Sequence, residues 1–476
     1  MKKYFVTTSI PYANSSPHIG YGMELVDADC IAQYFRSKNI STFLSTGTDE
    51  HGLKISEKAS SLGLQPKQFT DNISQEFVDL AKSLNINYDA FIRTTDKIHS
   101  KRCQAIWQLM LPDIYKSLYV GWYCVGDEAF FTETEVKFNN GICPNHNRPF
   151  EKLEEENYFF KLSKYQDQIK QQIINHKMNI FPNSRANEIL ALIDQGLDDI
   201  SISRPKNKIS WGIDVPGDNS QTMYVWFEAL LNYLTVIGYP DDDNYKNYWP
   251  AKVQVLGKDI LRFHAAVWPA MLLSLGLELP ENLYVHGFVT LNNQKISKTL
   301  GNVISVDEVI ENYGVDAFRY YFLRHIPSYG DGDFNWNHFK EVYQNELGNE
   351  LGNAVQRTVV LVDKYFHDES LDFNLSTHDR ANFDQYMSEF HFDRALDLVW
   401  NQVRGLNQYI DETKPWLIAK ENDLNHLKEV LTYQVDNLLE IADLLDCFMP
   451  QTANVIKKIF TGQDRYRQIL FPRIND

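Results

Sequence analysis

The feature of this sequence that most constrains its fold is a strand–helix–strand pattern that is interrupted over residues 115–219 and then resumes. A short apolar run at residues 3–10 precedes a helical pattern at residues 18–38, and a second apolar run follows at residues 41–46. Strands joined by a helix after a short first turn favour a parallel, doubly wound sheet. In such a sheet, ligands bind at the carboxyl ends of the strands.

The interrupting segment is aromatic and rich in turns. It contains runs such as GWYCVGDEAFF and EENYFFKLSKY, and we interpret it as a small insertion with β content and one knuckle-like turn. The α/β pattern then returns as a helix, a strand, a helix and a strand, at residues 223–234, 253–257, 258–276 and 283–291. The sequence therefore predicts a doubly wound, parallel, Rossmann-type α/β sheet that is split by an insertion.

The sequence becomes helical from residue 337 onward. Apolar residues recur with a period near ~3.6 in four stretches, at residues 338–365, 379–411, 426–447 and 450–459. Helix breakers such as Pro415 and Pro450 separate the stretches or begin them. This pattern is typical of a helix bundle, so we predict an α-helical carboxyl-terminal domain.

Composition excludes several classes of protein. Hydrophobic residues make up 43% and charged residues 23% of the chain, which is typical of a globular protein rather than a disordered one. Five cysteines, an odd and small number for 476 residues, favour a reducing compartment. We expect a soluble, cytoplasmic protein, because no run reaches the ~18 apolar residues of a membrane span and the first residues do not resemble a signal peptide. The net charge of −17 does not suggest a nucleic-acid surface, although a local groove can differ in sign from the whole chain. Residues 341–476 have 13 Lys and Arg against 23 Asp and Glu, a net charge of −10, so RNA binding by this region would depend on specific contacts.

Two short motifs follow predicted strands and carry residues suited to binding phosphate. Pro17 suits the start of a helix, and His18 would stand at its amino end, where exposed N–H groups favour an anion. Gly20 would let the backbone approach a ligand closely. In the second motif, KISKT, Lys295 and Lys298 could fold over a polyphosphate. Taken singly, the first motif also fits a capped helix with an incidental histidine, and the second also fits a solvated surface loop.

Taken together, and in this order, the two motifs resemble those of the class I aminoacyl-tRNA synthetases, which read HIGH and KMSKS where this chain has HIGY and KISKT. The resemblance narrows to the methionyl-tRNA synthetase family and runs over residues 4–473. The segments that carry it are, in order, TTSIPYANSSPHIG, TGTDEHG, YVWFEAL, GKDILRFHA, VHGFVT, KISKTLGN, LGNAVQRT and KPWLIAK.

The resemblance gives each predicted segment a role. We expect the first half of the catalytic domain at residues 1–114 and a connective insertion at 115–219. The second half of the catalytic domain, with the KISKT loop, is expected at 220–336, and a helical anticodon-binding domain at 337–476.

The resemblance implies a two-step reaction. Methionine first attacks the α-phosphate of ATP to give methionyl-adenylate and pyrophosphate, and the terminal adenosine of tRNA then takes the methionyl group. The first step requires neutralised charge and correct positioning rather than a covalent nucleophile. The implied catalytic residues are His18, Lys295 and Lys298, with Mg²⁺ on the polyphosphate. The implied ATP ligands are His18, Tyr21, Asp259, His286, Gly287, Val289 and Lys298.

One position departs from the first family motif, because Tyr21 stands where the family usually has a second histidine. A tyrosine hydroxyl can donate a hydrogen bond to ATP, but it cannot carry a positive charge near pH 7. The departure leaves open how this position helps the transition state.

The same position-by-position match implies a methionine pocket. A methionine side chain is long, apolar and polarizable, and contacts between sulfur and aromatic rings suit it. Asp49 would hold the α-ammonium group, and Tyr12 and His264 would offer polar edges near the sulfur. On their own, Trp226 and Tyr233 also fit a core stripe at helical spacing. The implied pocket residues are Ile10, Tyr12, Asp49, Trp226, Ala229, Tyr233, Ile260 and His264.

The resemblance also implies an anticodon site in the helical domain. Asn353 and Arg357 are four residues apart, hence on one helix face, and Trp416 follows a proline between helices. Unstacked bases need an aromatic or guanidinium platform and hydrogen bonds to their edges. A lone tryptophan after a proline also fits a half-buried packing role.

The insertion carries Cys124, Asp127, Cys143 and His146 in a knuckle-like spacing. Zinc-bearing relatives use four nitrogen or sulfur ligands there, and structural zinc sites prefer thiolate and imidazole to the carboxylate that this chain has. We therefore expect no zinc and a turn that is held by packing.

The expected partners are initiator and elongator methionine tRNA, methionine and ATP, and we expect a monomer. Three other functions remain open: a sister synthetase for leucine, isoleucine, valine or cysteine, a catalytically silent tRNA-binding relative, and a stand-alone nucleotidylyltransferase. The insertion is short for an editing domain, and the intact Lys298 and Asp49 argue against a silent relative. A nucleotidylyltransferase has no use for the helical bundle.

Overall fold

The computed structural model describes residues 3–124, 129–131, 133–144, 147–295, 304–366, 380–461 and 469–474. The chain forms two compact units, each made of three stretches of sequence. The first unit comprises Met1–Pro17, Phe43–Asp79 and Tyr88–Val285. The second unit comprises His18–Thr42, Leu80–Asn87 and His286–Asp476.

The helices and strands are numbered along the chain. The strands are β1 (Tyr4–Thr7), β2 (Thr42–Thr48), β3 (Ala90–Arg93), β4 (Ile114–Cys124), β5 (Ala129–Phe131), β6 (Glu151–Phe160), β7 (Asn179–Phe181), β8 (Ile200–Ser201), β9 (Ser203–Pro205), β10 (Asp214–Val215), β11 (Asp218–Met223), β12 (Val253–Gly257), β13 (Asn282–His286), β14 (Val289–Leu291), β15 (Gln294–Lys295) and β16 (Gly332–Phe334). The α-helices are α1 (Ile19–Ser37), α2 (Leu53–Ser61), α3 (Pro66–Ser83), α4 (Lys97–Leu109), α5 (Glu133–Phe138), α6 (Gln166–Ile174), α7 (Asn183–Asp194), α8 (Val225–Leu230), α9 (Asn232–Thr235), α10 (Trp268–Ser274), α11 (Val306–Tyr313), α12 (Val315–Arg324), α13 (Trp336–Val342), α14 (Asn353–Tyr365), α15 (Ala381–Ser388), α16 (Phe392–Thr413), α17 (Pro415–Lys420), α18 (Leu424–Leu445) and α19 (Pro450–Phe460). Tighter 3₁₀ turns span Leu111–Asp113, Leu162–Tyr165, Asp243–Asn247 and Lys258–Ile260, and π-helical segments span Phe263–Val267 and Tyr343–Gly352.

The first unit is built on a six-stranded sheet in the order β3-β2-β1-β12-β13-β7. The pairs β2–β3, β1–β12 and β13–β7 are parallel. The strand order reverses between β1 and β12, which in a doubly wound sheet is the point where ligands bind at the carboxyl ends. The predicted doubly wound parallel sheet is confirmed. The sequence pattern did not predict that β7, from within residues 115–219, joins the edge of this sheet.

The central strands of the sheet are buried. Every residue of β12 is buried, including Gln254, whose side-chain oxygen accepts a hydrogen bond from the indole of Trp268 at 3.1 Å. Near-continuous burial is typical of parallel strands that are covered on both faces. The largest side chains in this core, Trp107 and Trp268, are almost completely buried.

A second, antiparallel sheet in the order β5-β4-β6-β8 lies in the segment that we interpreted as an insertion. Strands β4 and β6 pair from Ile114↔Phe160 to Tyr123↔Glu151. On β6, the buried Glu155 accepts two hydrogen bonds from the guanidinium of Arg204, at 2.7 and 3.1 Å. Because a buried carboxylate needs a partner, this ion pair fixes β6 against β9.

The second unit contains α1 and the helices that follow the sheet. Arg319 of α12 is fully buried, pairs with Asp29 of α1 at 2.8 Å and donates to the backbone carbonyl groups of Cys447 and Phe448. Trp400 of α16 is also fully buried. Amphipathic helices bury one face against each other in this way, and the predicted carboxyl-terminal helical region is confirmed. None of the helices in the described parts of the chain is both long and apolar enough to cross a membrane.

One predicted strand is divided. The sequence pattern predicted a single strand over residues 283–291, whereas β13 ends at His286 and β14 begins at Val289. A Cβ atom at Gly287 would lie 1.8 Å from the carbonyl oxygen of Gly330, so only glycine fits this close approach of two backbones. The strand β14 then pairs with β16.

Candidate active site

Two predicted methionine ligands meet at the carboxyl edge of the sheet. The backbone N–H of Ala13 donates to the carbonyl of Asp49 at 2.7 Å, and the N–H of Asp49 donates to the carbonyl of Pro11 at 2.9 Å. These bonds pair Tyr12 with Asp49 just beyond β1 and β2. The Asp49 side chain is buried, and the hydroxyl of Thr94 lies 3.5 Å from its carboxylate. A buried carboxylate at this edge can bind an ammonium group.

Helix α8 and the segment after β12 supply an aromatic wall. The indole of Trp226 stacks on Phe263, with ring centroids 4.0 Å apart and an angle of 3° between the planes. Ala229, one turn beyond Trp226 on α8, is buried. The sequence analysis missed Phe263, although it directly precedes the predicted His264. Flat aromatic faces of this kind suit a polarizable sulfur-containing side chain.

A second contact fixes Tyr233. Its hydroxyl lies 2.7 Å from Nε2 of His264, whose Nδ1 lies 3.0 Å from the carbonyl oxygen of Ile260. Since a carbonyl can only accept, Nδ1 carries the hydrogen, and in a neutral ring Nε2 accepts from the hydroxyl. We expected His264 to offer a polar edge near the sulfur. Both of its ring nitrogens are engaged within the protein and the ring orients Tyr233, and the expected contact with the sulfur stays a prediction.

The remaining predicted residues of the first unit follow the two strands at which the order reverses. Ile10 lies beyond β1, and Asp259 and Ile260 lie beyond β12. Asp259 is exposed, whereas Ile10 and Ile260 are half-buried. A carboxylate at such an edge can accept hydrogen bonds from the hydroxyl groups of a ribose.

A buried carboxylate that the sequence analysis did not single out joins the loop after β2 to α8. Oε1 of Glu228 lies 2.7 Å from Nδ1 of His51, which stands two residues after Asp49. Oε2 of Glu228 lies 3.0 Å from Nε2 of His99 on α4. The signal in the sequence was an acidic residue inside the otherwise apolar run YVWFEAL, because unpaired carboxylates are rarely buried.

In the second unit, α1 begins directly after His18. The exposed His18 caps the helix, and its Nδ1 accepts a hydrogen bond from the N–H of Gly20 at 3.1 Å. A neutral His18 therefore carries its hydrogen on Nε2. The ring folds over Gly20, where a Cβ atom would lie 3.1 Å from it. The next residue, Tyr21, is buried. The amino end of a helix attracts anions, which agrees with a phosphate at this cap.

His286 ends β13 and is buried beside Glu24 of α1. Its Nε2 lies 3.1 Å from the Glu24 carboxylate, and its Nδ1 lies 2.9 Å from the carbonyl of Gly287. Burial alone would lower the pKa of His286, but the hydrogen bond and the negative charge of Glu24 raise it to about 9. His286 is thus an imidazolium at neutral pH and donates from both nitrogens. Together with the glycine contact, these bonds fix the backbone that leads to Val289.

The KISKT motif lies mostly outside the described residues. Lys295 ends β15 and pairs with Thr290 of β14. Lys298 is not among the residues that the structure describes. The action of both lysines on a polyphosphate stays a prediction.

In the helical region, two of the predicted anticodon residues lie against each other. The guanidinium of Arg357 lies 4.9 Å from the ring centroid of Trp416 and donates to Asp411 at 2.6 Å. Trp416 is 37% exposed and is therefore not a core residue. Asn353 is exposed at the start of α14, one turn before Arg357. An exposed ring beneath a guanidinium suits the stacking of an unpaired base.

Two of the four knuckle residues can be located. Cys124 and Cys143 are buried in a small apolar cluster with Val136. Asp127 and His146 lie outside the described residues. Two of the four candidate ligands therefore lie where the structure gives no description, and the expectation that this turn holds no zinc stays a prediction.

Comparisons with known proteins point to one family. A family model described as tRNA synthetases class I (M) matches residues 4–152 and 145–359. The chain is 40% identical over 476 residues to a methionine–tRNA ligase of Caldanaerobacter subterraneus, covering 96% of this chain and 73% of that protein. It is 38% identical over 470 residues to a methionine–tRNA ligase of Thermotoga maritima, covering 95% of this chain and 74% of that protein.

Solved structures give the same result. The chain is similar to Mycobacterium tuberculosis methionyl-tRNA synthetase in complex with methionyl-adenylate, with a TM-score of 0.90 and 35% identity. That match covers 96% of this chain and 94% of the other. The apo form of the same enzyme matches with a TM-score of 0.82 and 32% identity. The similarity extends along almost the whole chain.

Proposed function

The chain belongs to the methionine-type class I tRNA synthetases, and we propose that it activates methionine with ATP and transfers the methionyl group to the 3′-terminal adenosine of methionine tRNA. Ligase activity follows from the family, because the relatives that cover nearly the whole chain are methionine–tRNA ligases. The residues that carry out each step are the finer part of the proposal.

The pairing of Tyr12 with Asp49 at the carboxyl edge of the sheet carries the proposal. The buried Asp49 carboxylate would hold the α-ammonium group of methionine. Trp226, stacked on Phe263, and the oriented Tyr233 would line the thioether side chain. The other proposed pocket residues are Ile10, Ala229, Ile260 and His264.

In the first step, a carboxylate oxygen of methionine bonds to the α-phosphorus of ATP while the bond to the bridging oxygen breaks, and pyrophosphate leaves. His18 would donate from Nε2 to a phosphate oxygen, because its Nδ1 is engaged with Gly20. Lys295 and Lys298 would neutralise the leaving pyrophosphate. ATP would bring Mg²⁺, which supplies further positive charge to the polyphosphate. The other proposed ATP ligands are Tyr21, Asp259, His286, Gly287 and Val289.

In the second step, the adenosine hydroxyl attacks the carbonyl carbon of the adenylate, and AMP leaves. We propose that Asn353, Arg357 and Trp416 select both initiator and elongator methionine tRNA by their anticodon. The exposed Trp416 ring beneath the Arg357 guanidinium supports this role. A net charge of −17 adds no general attraction for RNA, so recognition would depend on a few specific contacts.

The remaining expectations become proposals about the state of the protein. We propose a cytoplasmic monomer with domains at residues 1–114, 115–219, 220–336 and 337–476. We also propose that the segment of Cys124 and Cys143 is held by apolar packing and contains no zinc, because both thiols pack against apolar side chains. Sedimentation analysis tests the monomer, and elemental analysis tests the metal content.

Methionine-dependent exchange of labelled pyrophosphate into ATP, followed by charging of methionine tRNA, tests the proposal. Leucine, isoleucine, valine and cysteine should support no exchange, which separates this enzyme from sister synthetases. Absent exchange with retained tRNA binding would instead indicate a silent relative. Exchange without charging of tRNA would contradict the second step.

A matched pair of variants tests the proposed pocket. Asp49→Asn should raise the KM for methionine by roughly tenfold to a hundredfold, since a hydrogen bond to a charged group contributes ~1.5–3 kcal/mol. Asp89→Asn is the control, because Asp89 accepts from the backbone N–H of Leu44 at 2.8 Å beside the amino end of β3, away from the proposed pocket. Equal effects of the two variants would contradict the assignment of Asp49.

A further inference from the structure

A fully buried carboxylate bridges two histidines behind α8. Glu228 is 0% exposed, and its two oxygens face different rings, Nδ1 of His51 at 2.7 Å and Nε2 of His99 at 3.0 Å. Burial alone would raise the pKa of Glu228, but the two histidines beside it hold that pKa below its ordinary value. Glu228 is therefore ionised, and each oxygen accepts a hydrogen bond.

The His51 side of this bridge holds the loop that carries Asp49. The ring of His51 lies edge-on to Trp211, with centroids 5.3 Å apart. The indole N–H of Trp211 donates to the carbonyl of Glu50 at 2.6 Å, and the backbone N–H of Gly52 donates to the carbonyl of Trp211 at 3.0 Å. Trp211 therefore links the His51 ring to the backbone of the turn that follows Asp49.

The His99 side of the bridge reaches the helix that carries Tyr233. Nδ1 of His99 lies 2.7 Å from the hydroxyl of Thr235 on α9, two residues after Tyr233. Cys103 lies beside the same ring, with its sulfur 3.3 Å from Nε2 of His99. Burial raises the pKa of the Cys103 thiol well above its ordinary value, so the thiol keeps its proton within this hydrogen-bonded cluster.

We propose that Glu228 is a positioning residue of the methionine pocket. Its carboxylate ties the loop of Asp49, through His51, to the helix that carries Trp226 and Ala229. Glu228 itself contacts no substrate, because both of its oxygens are engaged with histidines. The inference rests on the proposed function. It adds a residue that fixes the position of the ammonium site relative to the aromatic wall.

Glu228→Gln in the full chain tests the inference, because glutamine keeps the shape and removes the charge. The KM for methionine in pyrophosphate exchange should rise about tenfold, because the ammonium site and the aromatic wall would no longer be aligned with each other. A substitution far from the reacting atoms that displaces a group by about 1 Å can cost as much as ~100-fold in rate. The KM for ATP should stay within about twofold, as for a distant site. Glu228→Asp, which retains the charge, should recover part of the loss.

Glu155→Gln is the matched control. Glu155 is another buried carboxylate of the first unit, paired with Arg204 on β9, and it is not part of the proposed pocket. Its variant should leave the KM for methionine unchanged even if the melting temperature falls. An equal rise in both variants, or an unchanged KM in Glu228→Gln, overturns the inference.

Two further measurements keep the outcomes distinct. If Glu228→Gln yields no folded protein, His99→Gln is measured instead, and an unchanged KM for methionine in that variant also overturns the inference. Wild-type protein without methionine-dependent exchange would refute the proposed function itself. Wild-type exchange together with an unaffected variant refutes only the role of Glu228.

Discussion

Truncation of Trp416 to alanine should separate the two steps of the reaction. The ring is 37% exposed and lies beneath the guanidinium of Arg357, at 4.9 Å from the ring centroid. It belongs to the helical region of the second unit, whereas the proposed methionine pocket belongs to the first. We therefore expect a loss in the use of tRNA and little change in the activation of methionine.

The expected magnitude follows from stacking. Stacking of a base on an aromatic side chain contributes ~1–3 kcal/mol. At ~1.4 kcal/mol per decade, Trp416→Ala should lower kcat/KM for tRNA by roughly 5- to 150-fold. Truncation of a fully buried tryptophan costs ~3–5 kcal/mol, so a ring with 37% exposure should lower the free energy of unfolding by about 2–3 kcal/mol.

The assay measures pyrophosphate exchange, tRNA charging and the melting temperature on one preparation. Leu417→Ala is the control for an exposed neighbour on α17, since Leu417 is 42% exposed, and it should leave both steps nearly unchanged. Trp400→Ala is the control for a packing defect, because Trp400 is fully buried, and it should lower both steps together. If Trp416→Ala behaves like Trp400→Ala, with parallel losses in exchange and charging, Trp416 does not belong to the anticodon site.

The pKa of His286 is raised from 6.5 to about 9, so the folded state binds the proton more tightly than the unfolded state. This difference should stabilise the folded state by about 3 kcal/mol below pH 6.5, and the stabilisation should be lost as the pH rises through 9. Glu24→Gln should flatten this dependence in melting temperatures recorded from pH 6.5 to above 9, and a parallel curve would refute the ion pair. Tyr21→His should be tolerated and should keep or raise the exchange rate, because it restores the usual family donor; a severe loss would identify the buried phenol as a specific ATP contact. Purified protein should hold well under one zinc per chain by elemental analysis, and a chelator should leave exchange intact. A full zinc per chain would make Asp127 a candidate fourth ligand, and Cys143→Ser should then destabilise the insertion.

The sequence by itself determined the class of fold and the start of α1, the helix that begins within the HIGY motif. The helical pattern at residues 18–38 corresponds to α1 (Ile19–Ser37), and the strand at residues 253–257 corresponds to β12. Such predictions succeed because side chains alternate along a strand and repeat every turn of a helix, so a few neighbouring residues contain the signal. The residue types at His18 and in KISKT that we propose bind phosphate could be found for the same reason, since each motif is contiguous.

Local periodicity could not predict the features that depend on contact with a distant segment of the same chain. The strand β13 ends at His286, where Gly287 closely approaches Gly330, whereas the apolar pattern over residues 283–291 predicted one continuous strand. The hydrogen bond at Nε2 of His264 likewise depends on where Tyr233 lies. In both cases the deciding contact comes from a segment that is separate in sequence.

Only the tertiary structure decided which distant residues meet. Glu228 is separated by 177 residues from His51 and by 129 residues from His99, yet it contacts both. The reversal of strand order between β1 and β12 likewise brings Ile10 and Asp259 to the same edge of the sheet. No window of sequence contains such a partner, because strand pairing and the burial of whole faces are determined by the packing of the entire chain.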